Sequence, residues 1–222
     1  MEKTLVEKTK RTRVHGTGPR RNELVIFKKL GEISEEAIQE MNKILDDHAK
    51  RNDLGEYLYN ISNTTNFHEA LGVPSLDKYR QILLQRDPNS TEFIDKVDEY
   101  VYTDWATWEF KLDHTIEEMS KFWHKHYRFR VVEMVGKEEI GWHIDTDTSV
   151  GCRGQVCLND NDSVMFFKDR NGTHELQMKR GEVWFINTGW PHMVLSGQKT
   201  RRNAILTCHF DDFINKEQLY AK

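Results

Sequence analysis

Two short segments carry the residues best suited to chemistry: Gly141-Trp142-His143-Ile144-Asp145 and Trp190-Pro191-His192, with Arg202 ten positions beyond. His143 and Asp145 are two apart, so on a regular strand both side chains leave the same face. Two imidazoles and one hard carboxylate cap one face of an octahedral ion. Three sites stay open, which suits Fe(II) that must bind a chelating co-substrate and then O2. His-x-Asp alone arises by chance; its combination with His192 and a nearby fixed cation is a much stronger signal. Asp147 shares His143's face, but ligation from four residues away requires a bent strand. His124, His126, His174 and His209 form no comparable set with a carboxylate.

Strand alternation sorts the neighbouring residues. Arg202, Ala204, Leu206 and Cys208 share one face; Arg201, Asn203, Thr207 and His209 share the other. The first set is apolar beyond its arginine, which predicts that Arg202 faces the interior and Arg201 faces outward. A hairpin about Gly197–Thr200 then places Arg202 opposite Leu195 or Ser196, about 10 Å along from His192. A metal-chelated dicarboxylate could present its far carboxylate there, and a buried arginine requires such an anion. Ser196, on His192's face, could add a hydrogen bond. Arg153 and Gln155 share a face and are assigned to co-substrate or substrate, with a structural ion pair as the alternative. Trp142 and Trp190 flank the ligands and either wall the pocket or simply pack. Arg128 and Arg130 could meet a substrate carboxylate; solvation at an edge strand is the plainer reading.

These residues need a framework. Residues 1–22 read as a basic, flexible tail, with Lys8, Lys10, Arg11, Arg13, Arg20 and Arg21 as a solvated cluster. Leu24-Val25-Ile26-Phe27 reads as a short edge strand. From Ser34 the pattern turns helical, with Ala37, Ile38, Met41, Ile44 and Leu45 on one face. Further helices are expected after Pro74 (Leu76, Tyr79, Ile82, Leu83), from Thr91 (Phe93, Ile94, Val97, Val101) and from about Asp113 (Ile116, Met119, Phe122, Trp123). Trp105 and Trp108 fit helical i, i+3 packing. Near residue 127 the period changes, and eight strand-like runs follow: 128–135, 141–145, 153–158, 163–169, 173–179, 182–187, 192–196 and 202–210. Gly172, Gly181 and Gly197 fall where turns are wanted. Helices followed by eight strands predict an α+β fold: a double-stranded β-helix (jelly-roll, cupin-like) barrel buttressed by N-terminal helices. The expected organisation is a single domain over 23–222, with helical support over about 34–126 and the jelly-roll core over about 127–212.

Composition narrows the partners. A net charge of -4 gives no global case for nucleic-acid binding. No apolar run approaches the eighteen or so residues of a spanning helix, and the first residues lead into no signal-type apolar core. The three cysteines, Cys152, Cys157 and Cys208, show no paired spacing. They read as reduced thiols, as in a cytoplasmic protein.

His143-x-Asp145, the segment Cys152-Arg153-Gly154-Gln155-Val156-Cys157-Leu158, Gly181-Glu182-Val183-Trp184-Phe185, Pro191-His192 and Arg202 together resemble the 2-oxoglutarate-dependent oxygenases. Within that superfamily they are most similar to the aspartyl/asparaginyl β-hydroxylase branch, itself similar to the proline 3-hydroxylases. The resemblance covers roughly residues 127–212. It implies Fe(II) held by His143, Asp145 and His192, 2-oxoglutarate held by Arg202, and O2 as oxidant. The implied reaction hydroxylates a C–H bond while 2-oxoglutarate becomes succinate and CO2. The branch carries Arg-x-His where this chain has Arg153-Gly154-Gln155. Asp145 is retained, unlike in the related halogenases. The expected substrate is a small molecule, an amino acid or derivative; an Asp, Asn or Pro side chain in a peptide is the alternative. A non-catalytic metal-binding jelly roll and a zinc or nickel cupin-type enzyme are the readings from other classes.

Overall fold

The computed structural model describes residues 16–47, 79–85 and 102–222. Its strands are β1 (Phe27–Glu32), β2 (Tyr79–Leu83), β3 (Tyr127–Met134), β4 (Glu139–His143), β5 (Cys152–Cys157), β6 (Val164–Asp169), β7 (Gly172–Leu176), β8 (Glu182–Ile186), β9 (His192–Leu195) and β10 (Arg201–Cys208). Helix α1 (Glu35–Asp47) lies between β1 and β2, and α2 (Asp113–Met119) between β2 and β3. The eight expected runs correspond to β3 through β10.

The strands form two antiparallel sheets. The larger has the order β1-β8-β5-β10-β3-β2 and the smaller β4-β9-β6-β7. From β3 onward the chain passes repeatedly between the sheets, which is consistent with a jelly roll. One apolar cluster lies between them: Val132, Cys157, Ile186 and Ile205 from the large sheet meet Met165, Phe167 and Val194 from the small one. A second cluster covers the other face of the large sheet. There Val131, Val156, Val183, Phe185, Ala204 and Leu206 pack with Ala37, Ile38, Met41 and Leu45 of α1. Ser34 Oγ accepts the Ala37 amide at 3.4 Å at the start of α1, as a cap requires. Each large apolar side chain buried on the α1 stripe contributes about 1.5–3 kcal/mol. The large sheet is therefore covered on both faces, and this decides which way its side chains can be read.

Several expectations change. Tyr79–Leu83 is a strand paired with β3, with Tyr79 opposite Met134 and Leu83 opposite Arg130. Every one of its side chains is buried. A strand buried on both faces shows no alternation, so the helical spacing was fortuitous. Trp105 makes an isolated bridge to Gln85 rather than sitting in a helix, and Trp108 is exposed. Leu24 bridges Tyr220, and the first true strand begins at Phe27. The basic residues Lys8 to Arg13, Pro74, Leu76 and the helix expected from Thr91 lie outside the described residues. Residues 16–22 are not a solvated tail: Gly18 N donates to Ser149 O at 3.1 Å, and Thr148 Oγ1 donates to Pro19 O at 2.9 Å.

Candidate metal centre

β4 and β9 are neighbours in the small sheet, and His143 stands directly opposite His192. Asp145 follows β4, its amide donating to Thr188 O at 3.1 Å in the turn that leads into β9. The three side chains converge, with one donor atom from each lying within 4.8 Å of the others. An octahedral ion with bonds of about 2.1 Å holds neighbouring donors about 3 Å apart, so modest side-chain rotations close the set. His143 Nδ1 lies 2.7 Å from Gly141 O and His192 Nδ1 lies 3.0 Å from Trp190 O. A carbonyl only accepts, so each Nδ1 carries a proton and Nε2 is the ring atom turned to the centre. Phe167 stacks on His192 at 5.8 Å between ring centroids and fixes its plane.

The protonation states match metal ligation. Burial works against a charged Asp145, but the adjacent Arg153 guanidinium outweighs it and holds the carboxyl well below the usual carboxylate range. Burial lowers the His192 pKa, with Asp145 opposing, so its imidazole is neutral at physiological pH. Arg153 Nε donates to Asp145 Oδ2 at 3.2 Å, and Arg153 Nη1 donates to Thr207 Oγ1. Arg153 thus orients the carboxylate. Asp145 keeps 28% side-chain exposure, which leaves an approach to the centre.

The two arginines face the reverse of the directions expected from strand alternation. Arg201, 3% exposed, points between the sheets, where its Nη2 donates to Gln155 Oε1 at 3.1 Å and lies 3.9 Å from Met165 Sδ. Arg202 points the other way, to Glu133 (2.6 Å) on β3 and to Asp46 (2.7 Å) and Asn42 (3.3 Å) on α1. The apolar set Ala204, Leu206 and Cys208 faces the α1 layer, not the space between the sheets. Nor do β9 and β10 form a hairpin: β9 pairs with β4 and β6, and β10 with β3 and β5. The turn between them fixes the register. Gly197 has φ +70° with Asp162 against it, and Asp162 accepts from the Gln198 and Lys199 amides at 2.8 and 2.9 Å.

Two routes locate Arg201 relative to the triad. Along β5, Arg153 touches Asp145, and Gln155, two residues on, touches Arg201. Along β6, Phe167 lies opposite His192, and Met165, two residues back, touches Arg201. Each step is about 7 Å. No carboxylate among the described residues pairs with Arg201, and burial lowers its pKa. The outward placement expected for it hid this group at the sequence level, although its neighbour Asn203, also fully buried, marks the same polar face.

Other expected site residues are redistributed. The Ser196 hydroxyl is engaged by backbone: it donates to Val135 O at 3.0 Å and accepts from Glu138 N at 2.9 Å, which uses both of its roles. Trp142 leaves the opposite face of β4 from His143, is 42% exposed, and carries Lys168 Nζ 4.1 Å from its ring centroid. Trp190 supplies the carbonyl that orients His192, while its ring stacks with Arg21. Arg130 is buried on the inner face of β3, opposite Ile205. His126, His174 and His209 bond to Gln85, Asp169 and Val150 O respectively, apart from the triad. Asp147 Oδ1 accepts the Ser149 amide. All three cysteines are free thiols. Among the described residues no helix is long and apolar enough to cross a membrane.

No family model and no curated protein matches the chain. Among solved structures it is similar to AviO1 from Streptomyces viridochromogenes Tue57, at 12% identity and TM-score 0.46, covering 84% of this chain and 90% of that one. A prolyl hydroxylase from Trichoplax adhaerens, in complex with a hypoxia inducible factor peptide fragment, is similar over 87% of this chain and 86% of that one, at 12% identity and TM-score 0.46. An oxidoreductase of the 2OG-Fe(II) oxygenase family from Burkholderia pseudomallei is similar over 80% and 92%, at 11% identity and TM-score 0.43. These similarities are remote, and the chemistry has to be read from the residues of the site.

Proposed function

We propose that the chain is a double-stranded β-helix oxygenase that binds Fe(II) through His143, Asp145 and His192 and uses 2-oxoglutarate and O2. The observation that carries this reading is a triad of converging ligands beside a buried arginine that no carboxylate among the described residues meets. Such a cation is costly unless an anion completes it. Arg201, rather than Arg202, is the group for the far carboxylate of 2-oxoglutarate, and Gln155 holds its guanidinium in place. Arg153 keeps Asp145 ionised and oriented. Bound iron would supply oxygen activation coupled to decarboxylation of the co-substrate. The interior surface formed by Phe167, Met165 and Val194 excludes water from the reacting groups.

The first substrate class is a free amino acid or small derivative, oxidised by hydroxylation. The exposed Trp142 and Ile144 beside the ligands favour a second reading, an Asp, Asn or Pro side chain carried by a peptide. Succinate release from 2-oxoglutarate, with Fe(II) and with Zn(II), tests the core of the proposal. Release is expected with iron alone, and screens of free amino acids and short peptides then separate the two substrate classes. Succinate formation undiminished in His143→Ala or Asp145→Ala would refute the ligand assignment.

A further inference from the structure

The segment 16–22 touches both loops that carry the triad. On one side it meets the loop after Asp145, through the Gly18–Ser149 and Thr148–Pro19 hydrogen bonds. On the other, Arg21 holds the turn 187–190. Its Nη1 donates to Gly189 O at 2.6 Å, and its guanidinium lies 4.8 Å from the centroid of the Trp190 ring. Its carbonyl accepts from Asn187 Nδ2 at 2.9 Å and Trp190 Nε1 at 3.2 Å. A Cβ on Gly189 would sit 3.1 Å from Arg21 Cβ, tight enough that Arg21 would have to shift by a few tenths of an ångström. That same turn supplies Thr188 O to the Asp145 amide and Trp190 O to His192 Nδ1.

We infer that Arg21 is a positioning residue: it fixes the turn 187–190, and through that turn the aim of Asp145 and His192 at a shared metal. The inference rests on the metal-centre reading above. A backbone carbonyl orients an imidazole only as well as its own peptide is held. Arg21 holds that peptide stretch by a charge-assisted hydrogen bond, a cation–π contact and two accepted hydrogen bonds.

Titration of the apo-protein with Co(II), followed through its visible ligand-field bands, tests this without turnover. The unsubstituted chain and Arg20→Ala, which removes an adjacent exposed charge, should bind alike. Arg21→Ala should bind about tenfold more weakly, with altered bands, because loss of supporting partners costs about 10- to 100-fold in metal affinity. Arg21→Lys, which keeps one donor, should fall between. Gly189→Ala disturbs the same contact from the other side and should reproduce the weakening, and circular dichroism establishes folding of each variant. Equal Co(II) affinity and equal bands in folded Arg21→Ala and Gly189→Ala would overturn the positioning role while leaving the metal centre intact. Absence of Co(II) binding by the unsubstituted chain would overturn both.

Discussion

Arg201 and Arg202 are adjacent, chemically identical and opposite in circumstance. Arg202 lies on the helix-covered face of the large sheet, where it joins Glu133, which also accepts from Arg80 at 2.8 Å, to Asp46 of α1. Arg201 lies between the sheets with an amide and a thioether for company. Carboxylates complete Arg202, whereas none among the described residues pairs with Arg201, the cation proposed above to meet the co-substrate. The difference in surroundings extends along β10. Ala204, Leu206 and Cys208 accompany Arg202 against α1, whereas Asn203 and Thr207 accompany Arg201 on the face towards the candidate triad.

Substitution should separate the two faces, first through the co-substrate. Arg201→Ala should weaken 2-oxoglutarate binding on the order of a hundredfold, since truncating one partner of a buried charge pair costs a few kcal/mol. The measurement is the 2-oxoglutarate concentration required for half-maximal succinate release. In the ligand-free protein, Arg201→Met should leave the thermal midpoint unchanged or higher, because it removes a desolvated charge.

The helix-covered face has its own weak point, His126, which lies 4.9 Å from the Trp105 ring and is held near pKa 4 by burial. Unfolded, this imidazole takes up a proton near its ordinary 6.5. Between those values the unfolded state binds more protons, so stability falls as pH falls, by about 3 kcal/mol at most. Denaturant midpoints measured from pH 7 to pH 4 should show the loss, and His126→Gln should reduce it.

The smallest of these effects is expected for Arg202→Ala, a stability loss of about 1–2 kcal/mol with the 2-oxoglutarate requirement unchanged. Its ion pairs are partly solvated, and Glu133 keeps Arg80. A raised requirement in this variant would blur the distinction between the faces.

The triad was legible in the sequence because strand period and ligand chemistry act locally: His143 and Asp145 need only a strand and its exit. The eight strands were legible from alternation and glycine turns. Arg201 was not, because an apolar strand face looks the same whether it meets a barrel interior or a helix layer. Only α1, packed over Ala204 and Leu206, decides between them. Tyr79–Leu83 failed for the same reason, being buried on both sides. Ser196 was misread because the sequence does not show that Val135 and Glu138 approach its hydroxyl. The role of residues 16–22 depends on a contact spanning 168 positions, from Arg21 to Gly189, that no local pattern announces.

The most direct test compares three proteins under anaerobic conditions with Fe(II) and a fixed, limiting amount of 2-oxoglutarate, followed by the weak visible charge-transfer absorption of the chelate. Assignment of Arg201 to the co-substrate requires the band in the unsubstituted chain and in Arg202→Gln, and its loss in Arg201→Gln. A band retained in Arg201→Gln and lost in Arg202→Gln, or no band in any of the three, would contradict it.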